Sequence, residues 1–119
     1  MQSKIAAVEA YLDGLDKKDL SPAPLADRVK YQNPLSGVPI EGKHNVIRFL
    51  EQTFLPAHQK ARVVRHIVQE DHIATLWEAE TSFGVVTIFQ LFCVEDELIT
   101  ELRSFYDPRE YLESMGKGR

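Results

Sequence analysis

The spacing of hydrophobic positions changes once along this chain, and the change falls just after Pro56. Ahead of it, Ile5, Val8, Leu12 and Leu15 recur at helical spacing. Tyr11 lies on the edge of that stripe, so its ring is expected in the core with its hydroxyl at the rim. Ser3 is placed to cap this helix, and the polar run from Asp16 to Asp19 ends it. The stretch SPAPLADRV allows one further short turn, because Pro22 and Pro24 suit a helix start rather than an interior. A short strand over residues 29–33 puts Val29, Tyr31 and Asn33 on one face. Pro34, Gly37 and Pro39 then turn the chain. A second helix, from Lys43 to about Phe54, buries Val46, Ile47, Leu50 and Phe54, with Gly42 just ahead of it and Pro56 stopping it.

Beyond Pro56 the pattern alternates. Residues 61–69, 72–83, 85–94 and 98–106 read as four long strands joined by short polar turns. The ending YDPREYLESMGKGR predicts a brief helix and a frayed, Gly-rich tail. Helices first and an antiparallel meander afterwards make an α+β pattern, with helices covering one face of a curved sheet.

A two-residue turn at Glu70-Asp71 would pair Gln69 with His72, Val68 with Ile73, His66 with Thr75 and Val64 with Trp77. One face then carries Val64, His66, Val68, Ile73, Thr75, Trp77, Ala79 and Thr81. The other mixes charge with aliphatics and reads as outward. A one-residue slip would exchange the two. The strand over 85–94 is apolar on both faces, which argues burial on both. If one face meets the helices, Phe89, Leu91 and Cys93 meet a second subunit, and a homodimer through the outer sheet face is expected. Arg65, Glu78, Glu80, Glu101 and Arg103 are expected to form cross-strand pairs on that face.

Composition narrows the picture further. At 119 residues, 44% of them hydrophobic, the chain is expected to form one domain over residues 1–119. The net charge of -4 and the lack of a Lys/Arg block argue against a nucleic-acid or anionic-membrane partner. A lone cysteine, Cys93, excludes an internal disulfide and a Cys-rich zinc site. No apolar run approaches the ~18 residues that span a bilayer, and no signal pattern opens the chain. A soluble, cytoplasmic protein is expected. No two histidines stand at chelating spacing with a carboxylate, so neither metal nor cofactor is expected. His44, His58 and His72 read as surface or helix-start residues, which leaves His66 as the one titratable group placed inside.

The motifs AYLDGLDKKDL, YQNP with IEGKHNVIRFL, EDHIATLWEAE and LITELRSFYDPREYL, in this order, resemble the nuclear transport factor 2-like superfamily, in particular its SnoaL-like branch. The resemblance covers nearly the whole chain. It implies a cone-shaped, cystatin-like α+β fold with a deep apolar pocket between helices and sheet, commonly dimeric. Two enzyme families of that superfamily serve as templates. Ketosteroid isomerase uses a first-helix tyrosine, an aspartate before a proline as base, and a second donor on a late strand. Tyr11, Asn33 and Gln90 fall on those positions. An amide has no useful basicity, so base-dependent isomerisation is not expected. Limonene epoxide hydrolase holds its attacking water with a Tyr-x-Asn pair, which Tyr31 and Asn33 match. Its Asp–Arg–Asp relay falls near Trp77, Ala79 and Ser104, or near Glu78 and Glu80 in a shifted register, and is not preserved.

The expected function is therefore binding of a small, mostly apolar molecule, with isomerisation, cyclisation or epoxide opening as the candidate chemistry. Asn33, Tyr31 and His66 are the candidate catalytic residues. Tyr11, Trp77 and Gln90 are the candidate ligand contacts. The alternative is a non-catalytic binding or assembly domain on the same fold. An open pocket with His66 in reach of Tyr31 or Asn33 favours catalysis. A pocket filled by its own side chains favours the alternative.

Overall fold

The computed structural model of the protein describes residues 2–116. The chain runs α1 (Gln2–Lys17), β1 (Leu25–Gln32), β2 (Ile40–Glu41), α2 (Lys43–Thr53), β3 (His58–Gln69), β4 (His72–Thr81), β5 (Gly84–Glu95), β6 (Leu98–Phe105) and α3 (Arg109–Gly116). The cap expected of the Ser3 side chain and the tail beyond Gly116 lie outside what is described. The strands form one open sheet in the order β2-β1-β6-β5-β4-β3. Neighbours are antiparallel except β1, which runs parallel to β6. The expected α+β architecture is thus present, with α1 packed across β3, β5 and β6, and α2 against β1.

Hydrophobic periodicity accounts for most of this. Val8, Leu12 and Leu15 of α1 are buried together with Tyr11. Tyr11 sits deeper than expected, without a solvent rim for its hydroxyl, because the concave sheet closes over that turn of the helix. In α2, Val46 and Leu50 are buried, and Phe54 follows at the C-cap. Gly42 carries a φ of 98°, a left-handed value that a glycine takes without a Cβ clash.

The element bounds differ from the sequence expectation in places, and the two-residue strand β2 was not expected. The segment after Ser21 forms only a tight turn, and β1 starts at Leu25 rather than at Val29 and ends at Gln32. A strand there gives Pro24 O an acceptor role toward Ile99 N, 2.7 Å away. Similarly, β3 begins at His58, three residues early.

Register follows the predicted hairpin at first. Gln69 faces His72, Val68 faces Ile73 and His66 faces Thr75. A bulge between Val63 and Arg65 then sets Val63, not Val64, opposite Trp77, and Val64 turns outward. The inner face of β4 keeps Ile73, Thr75, Trp77, Ala79 and Thr81, all buried. On β5, Val86, Ile88, Gln90, Phe92 and Val94 face inward, and Val85, Thr87 and Phe89 face out. In β6 an irregularity beside Cys93 makes Thr100 the extra residue, so Ile99, Leu102 and Ser104 all turn inward. On the outer face Glu78 pairs with Arg62 rather than Arg65, and Arg103 lies over the Phe105 ring.

Candidate functional site

The helices and the concave sheet enclose a cluster in which neutral polar groups sit among aromatic rings. Alternation on the strands brings them together. Gln90 of β5 pairs with Ser104 of β6 on one side and with Thr75 of β4 on the other, one step from Trp77. The Trp77 indole N–H donates to Gln90 Oε1 at 3.1 Å, and Gln90 Nε2 donates to Ser104 Oγ at 2.8 Å. An indole can only donate, so it fixes which end of the Gln90 amide faces which neighbour. Tyr11 reaches Gln90 from α1, and Tyr31 reaches Ser104 from β1. These groups line a narrow void of about 10 Å³, bounded further by Leu15, Leu50, Phe54 and Tyr106. Such a volume holds about one water.

Burial, before any other cause, raises the pKa of Tyr11, Tyr31, Tyr106 and Tyr111 above the ordinary phenol value. The Tyr31 phenol adds to that rise at the other three. Hydrogen bonds with Gln90 and Ser104 oppose it at Tyr11 and Tyr31. All four stay neutral phenols at physiological pH. The void is lined by no carboxylate, imidazole, ammonium or guanidinium. The arrangement can hydrogen-bond an oxygen and stack an apolar ring, but it holds no group that removes a proton from carbon.

Tyr11, Tyr31, Trp77 and Gln90 therefore come together as the sequence suggested. Asn33 and His66 lie elsewhere. Asn33 stands just past β1, where its Oδ1 accepts the Leu35 amide at 2.8 Å and its buried Nδ2 has no partner. It lines an open cleft of about 400 Å³ with Gln32, Pro34 and Arg103, and this cleft shares Ser104 and Tyr106 with the void. His66 sits between β3 and α1. Its Nδ1 lies 2.8 Å from Thr75 Oγ1, and its Nε2 lies 3.4 Å from Glu9 Oε2, an ion-pair distance without hydrogen-bond geometry.

His58 was expected at the surface and is instead fully buried. Pulling β3 back to residue 58 inserts the imidazole beneath α1. There Nε2 lies 2.8 Å from Asp16 Oδ1, which also accepts the Ala61 amide at 2.8 Å. The ring stacks on Phe54 with centroids 5.3 Å apart and meets Trp77 edge-on. Desolvation lowers the His58 pKa, and the Asp16 hydrogen bond offsets this only in part. Protonation would also place an N–H at Nδ1, a buried atom without an acceptor. The one sequence signal for this pair was an aspartate closing the first helix. Among the described residues, no group of three or more His, Cys, Asp or Glu is placed to hold a metal, and no helix is long and apolar enough to cross a membrane.

Known proteins share this fold. A family model described as "Domain of unknown function (DUF4904)" matches residues 2–117. No curated protein matches the sequence. Among solved structures, an NTF2-like protein of unknown function from Cytophaga hutchinsonii aligns with a TM-score of 0.77 at 17% identity, covering 92% of this chain and 95% of that one. A steroid delta-isomerase from Pseudomonas aeruginosa gives 0.74 at 16% identity over 98% and 88%. An LEH-like epoxide hydrolase from M. tuberculosis gives 0.75 at 22% identity over 98% and 92%. The chain thus has the nuclear transport factor 2-like fold that these structures share.

A pH prediction comes from His58. Its folded pKa lies below the unfolded value of 6.5, so its stabilising contribution is complete above 6.5 and is lost as pH falls toward the folded value. Urea midpoints between pH 7.5 and about 5 should fall more steeply for wild type than for His58→Gln. Equal slopes would remove His58 as the cause.

Proposed function

The chain belongs to that family, Domain of unknown function (DUF4904), and we propose that it binds a small, mostly apolar molecule carrying a carbonyl, hydroxyl or epoxide oxygen. The carrying observation is the Trp77–Gln90–Ser104 chain, met by Tyr11 and Tyr31 at the blind end of an apolar cone. A ligand oxygen placed there exchanges its water partners for Gln90, Tyr11 and Tyr31, and Trp77 supplies the stacking wall. Few polar groups amid aromatic walls is the usual composition of such sites. The Asn33 cleft, which shares Ser104 and Tyr106 with the void, is its entrance, and the unpartnered Nδ2 of Asn33 is an outer polar contact for the same ligand.

The reading is binding without base-driven turnover. The small size of the void and the lack of a carboxylate or imidazole in its lining support the non-catalytic alternative, and the placement of His66 beside Glu9 and Thr75 directs it away from Tyr31. The steroid delta-isomerase and epoxide hydrolase among the structural neighbours support the ligand class, as compounds that pair an apolar body with one oxygen. The acidic balance and the lone Cys93 accord with a cytoplasmic location.

A homodimer through the outer sheet face belongs to the same reading. Phe89 and Phe105 are 43% and 48% exposed and pair across β5 and β6 with centroids 6.5 Å apart. Leu91 and Cys93 continue the stripe, half-buried. An exposed aromatic pair on the outer face of the sheet marks an interaction surface.

Two measurements test the proposal. In a thermal-shift screen of steroids, terpenoid epoxides and polyketide-like aromatics, at least one compound should stabilise wild type by mass action and fail with Gln90→Met, a near-isosteric change. A screen in which no compound separates the two proteins would contradict the pocket. Sedimentation at micromolar concentration should give a dimer that Phe89→Glu dissociates. A clean wild-type monomer would refute it.

A further inference from the structure

A ligand larger than one water cannot enter the void as it stands, so part of its wall must leave. The weakest support behind that wall is α3, whose Tyr111 packs on Phe54 and Tyr106, two residues that line the void. Among its residues with described side chains, Tyr111 alone is buried, at 0% exposure, while Leu112 and Met115 are 46% and 42% exposed. An open cleft of about 570 Å³ runs between Arg109 and Glu113 on the helix side and Val85 and Thr87 at the start of β5. Eight residues are too few for a helix to hold itself together in water. The attachment of α3 is in effect one ring.

That ring is seated as a bound ligand would be. It stacks on Phe54 with centroids 5.1 Å apart and an interplanar angle of 20°. It meets Phe83 edge-on at 5.0 Å and Tyr106 at 5.4 Å. Phe54 and Tyr106 in turn line the void. Its hydroxyl is buried and has no partner, and neither has the hydroxyl of Tyr106. A group held for stability alone would satisfy its polar end. Three aromatic walls select a flat ring. Those walls carry no charge, so a charged ring would be buried unpaired and is rejected.

We infer that Tyr111 stands in for a planar, hydroxylated aromatic ligand, which displaces the Tyr111 ring from Phe54, takes its place between Phe83 and Tyr106, and releases α3. This rests on the pocket reading above and adds to it the ligand class and the closing device. A ligand seated there lies against Tyr106, which lines both the void and the Asn33 cleft. In wild type the tethered ring competes with any ligand, and apparent affinity falls by the fraction of time the seat is open.

The test uses the full chain with two probes, p-cresol, which is the tyrosine side chain itself, and 2-naphthol. By calorimetry, Tyr111→Ala should bind p-cresol at least about tenfold more tightly than wild type. In wild type saturated with 2-naphthol, α3 amides should exchange at least about tenfold faster than in the free protein, while those of β4 to β6 do not accelerate. A folded Tyr111→Ala protein that binds p-cresol no better than wild type overturns the inference. So does 2-naphthol binding that Gln90→Met abolishes while α3 exchange stays unchanged or slows, and in that case the pocket reading survives alone. No Gln90-dependent binding to either wild type or Tyr111→Ala removes the pocket reading and this inference together. If Tyr111→Ala does not fold, the exchange measurement on wild type decides.

Discussion

A primary amide buried on a central strand needs partners for one acceptor and two donors, and Gln90 sets this condition for the whole cone. Each such hydrogen bond adds only about 0.5–1.5 kcal/mol net, but an orphaned buried group costs about 1–3 kcal/mol. The surrounding chain must therefore supply an indole from β4, a hydroxyl from β6 and a phenol from α1 at the right heights. That requirement fixes the register of three strands as firmly as hydrophobic alternation does. It also explains a polar patch at the deepest point of an otherwise apolar core. Nothing about packing alone calls for Gln90, and leucine would fill the same space without partners.

Closure follows from aromatic stacking. Phe54, placed by the C-terminal end of α2, stacks with His58 beneath α1 and with Tyr111 of α3. One ring thus links both ends of the chain to the sheet. The two neighbours are anchored very differently. His58 is held by Asp16, which also caps the start of β3 through the Ala61 amide. Tyr111 has stacking alone and an unsatisfied hydroxyl. The fold is consequently firm on the α1 side and loosely latched on the α3 side, which is the asymmetry a pocket with a removable wall requires.

Much of this was legible in the sequence, for identifiable reasons. Helix spacing placed Val8, Leu12, Leu15, Val46 and Leu50, and strict alternation from Ile73 to Thr81 oriented β4 correctly, Trp77 included. The Tyr31 face and the Gln90 position came from motif order. What escaped was set by tertiary contacts. The bulge that turns Val64 outward has no local signature, since Val63 and Val64 are chemically the same. The strand over 85–94 is apolar on both faces, so only its pairing with β4 and β6 shows that Gln90 faces in. His58 lies two residues beyond Pro56, at the point where the pattern changes, and its partner Asp16 is 42 residues away. Asn33 shared a face with Tyr31 on paper, but the strand ends one residue too soon and the amide turns to cap the Pro34 loop.

The most direct measurement of the central claim is hydrogen exchange at the indole of Trp77. The chain has one tryptophan, so its side-chain N–H gives a single assignable NMR signal. A buried donor bonded to Gln90 Oε1 should exchange orders of magnitude more slowly than a free indole, and should lose that protection in Gln90→Met while the ring remains buried. An indole N–H that exchanges freely in the wild-type protein would contradict the network on which the cone, the site and its closure depend.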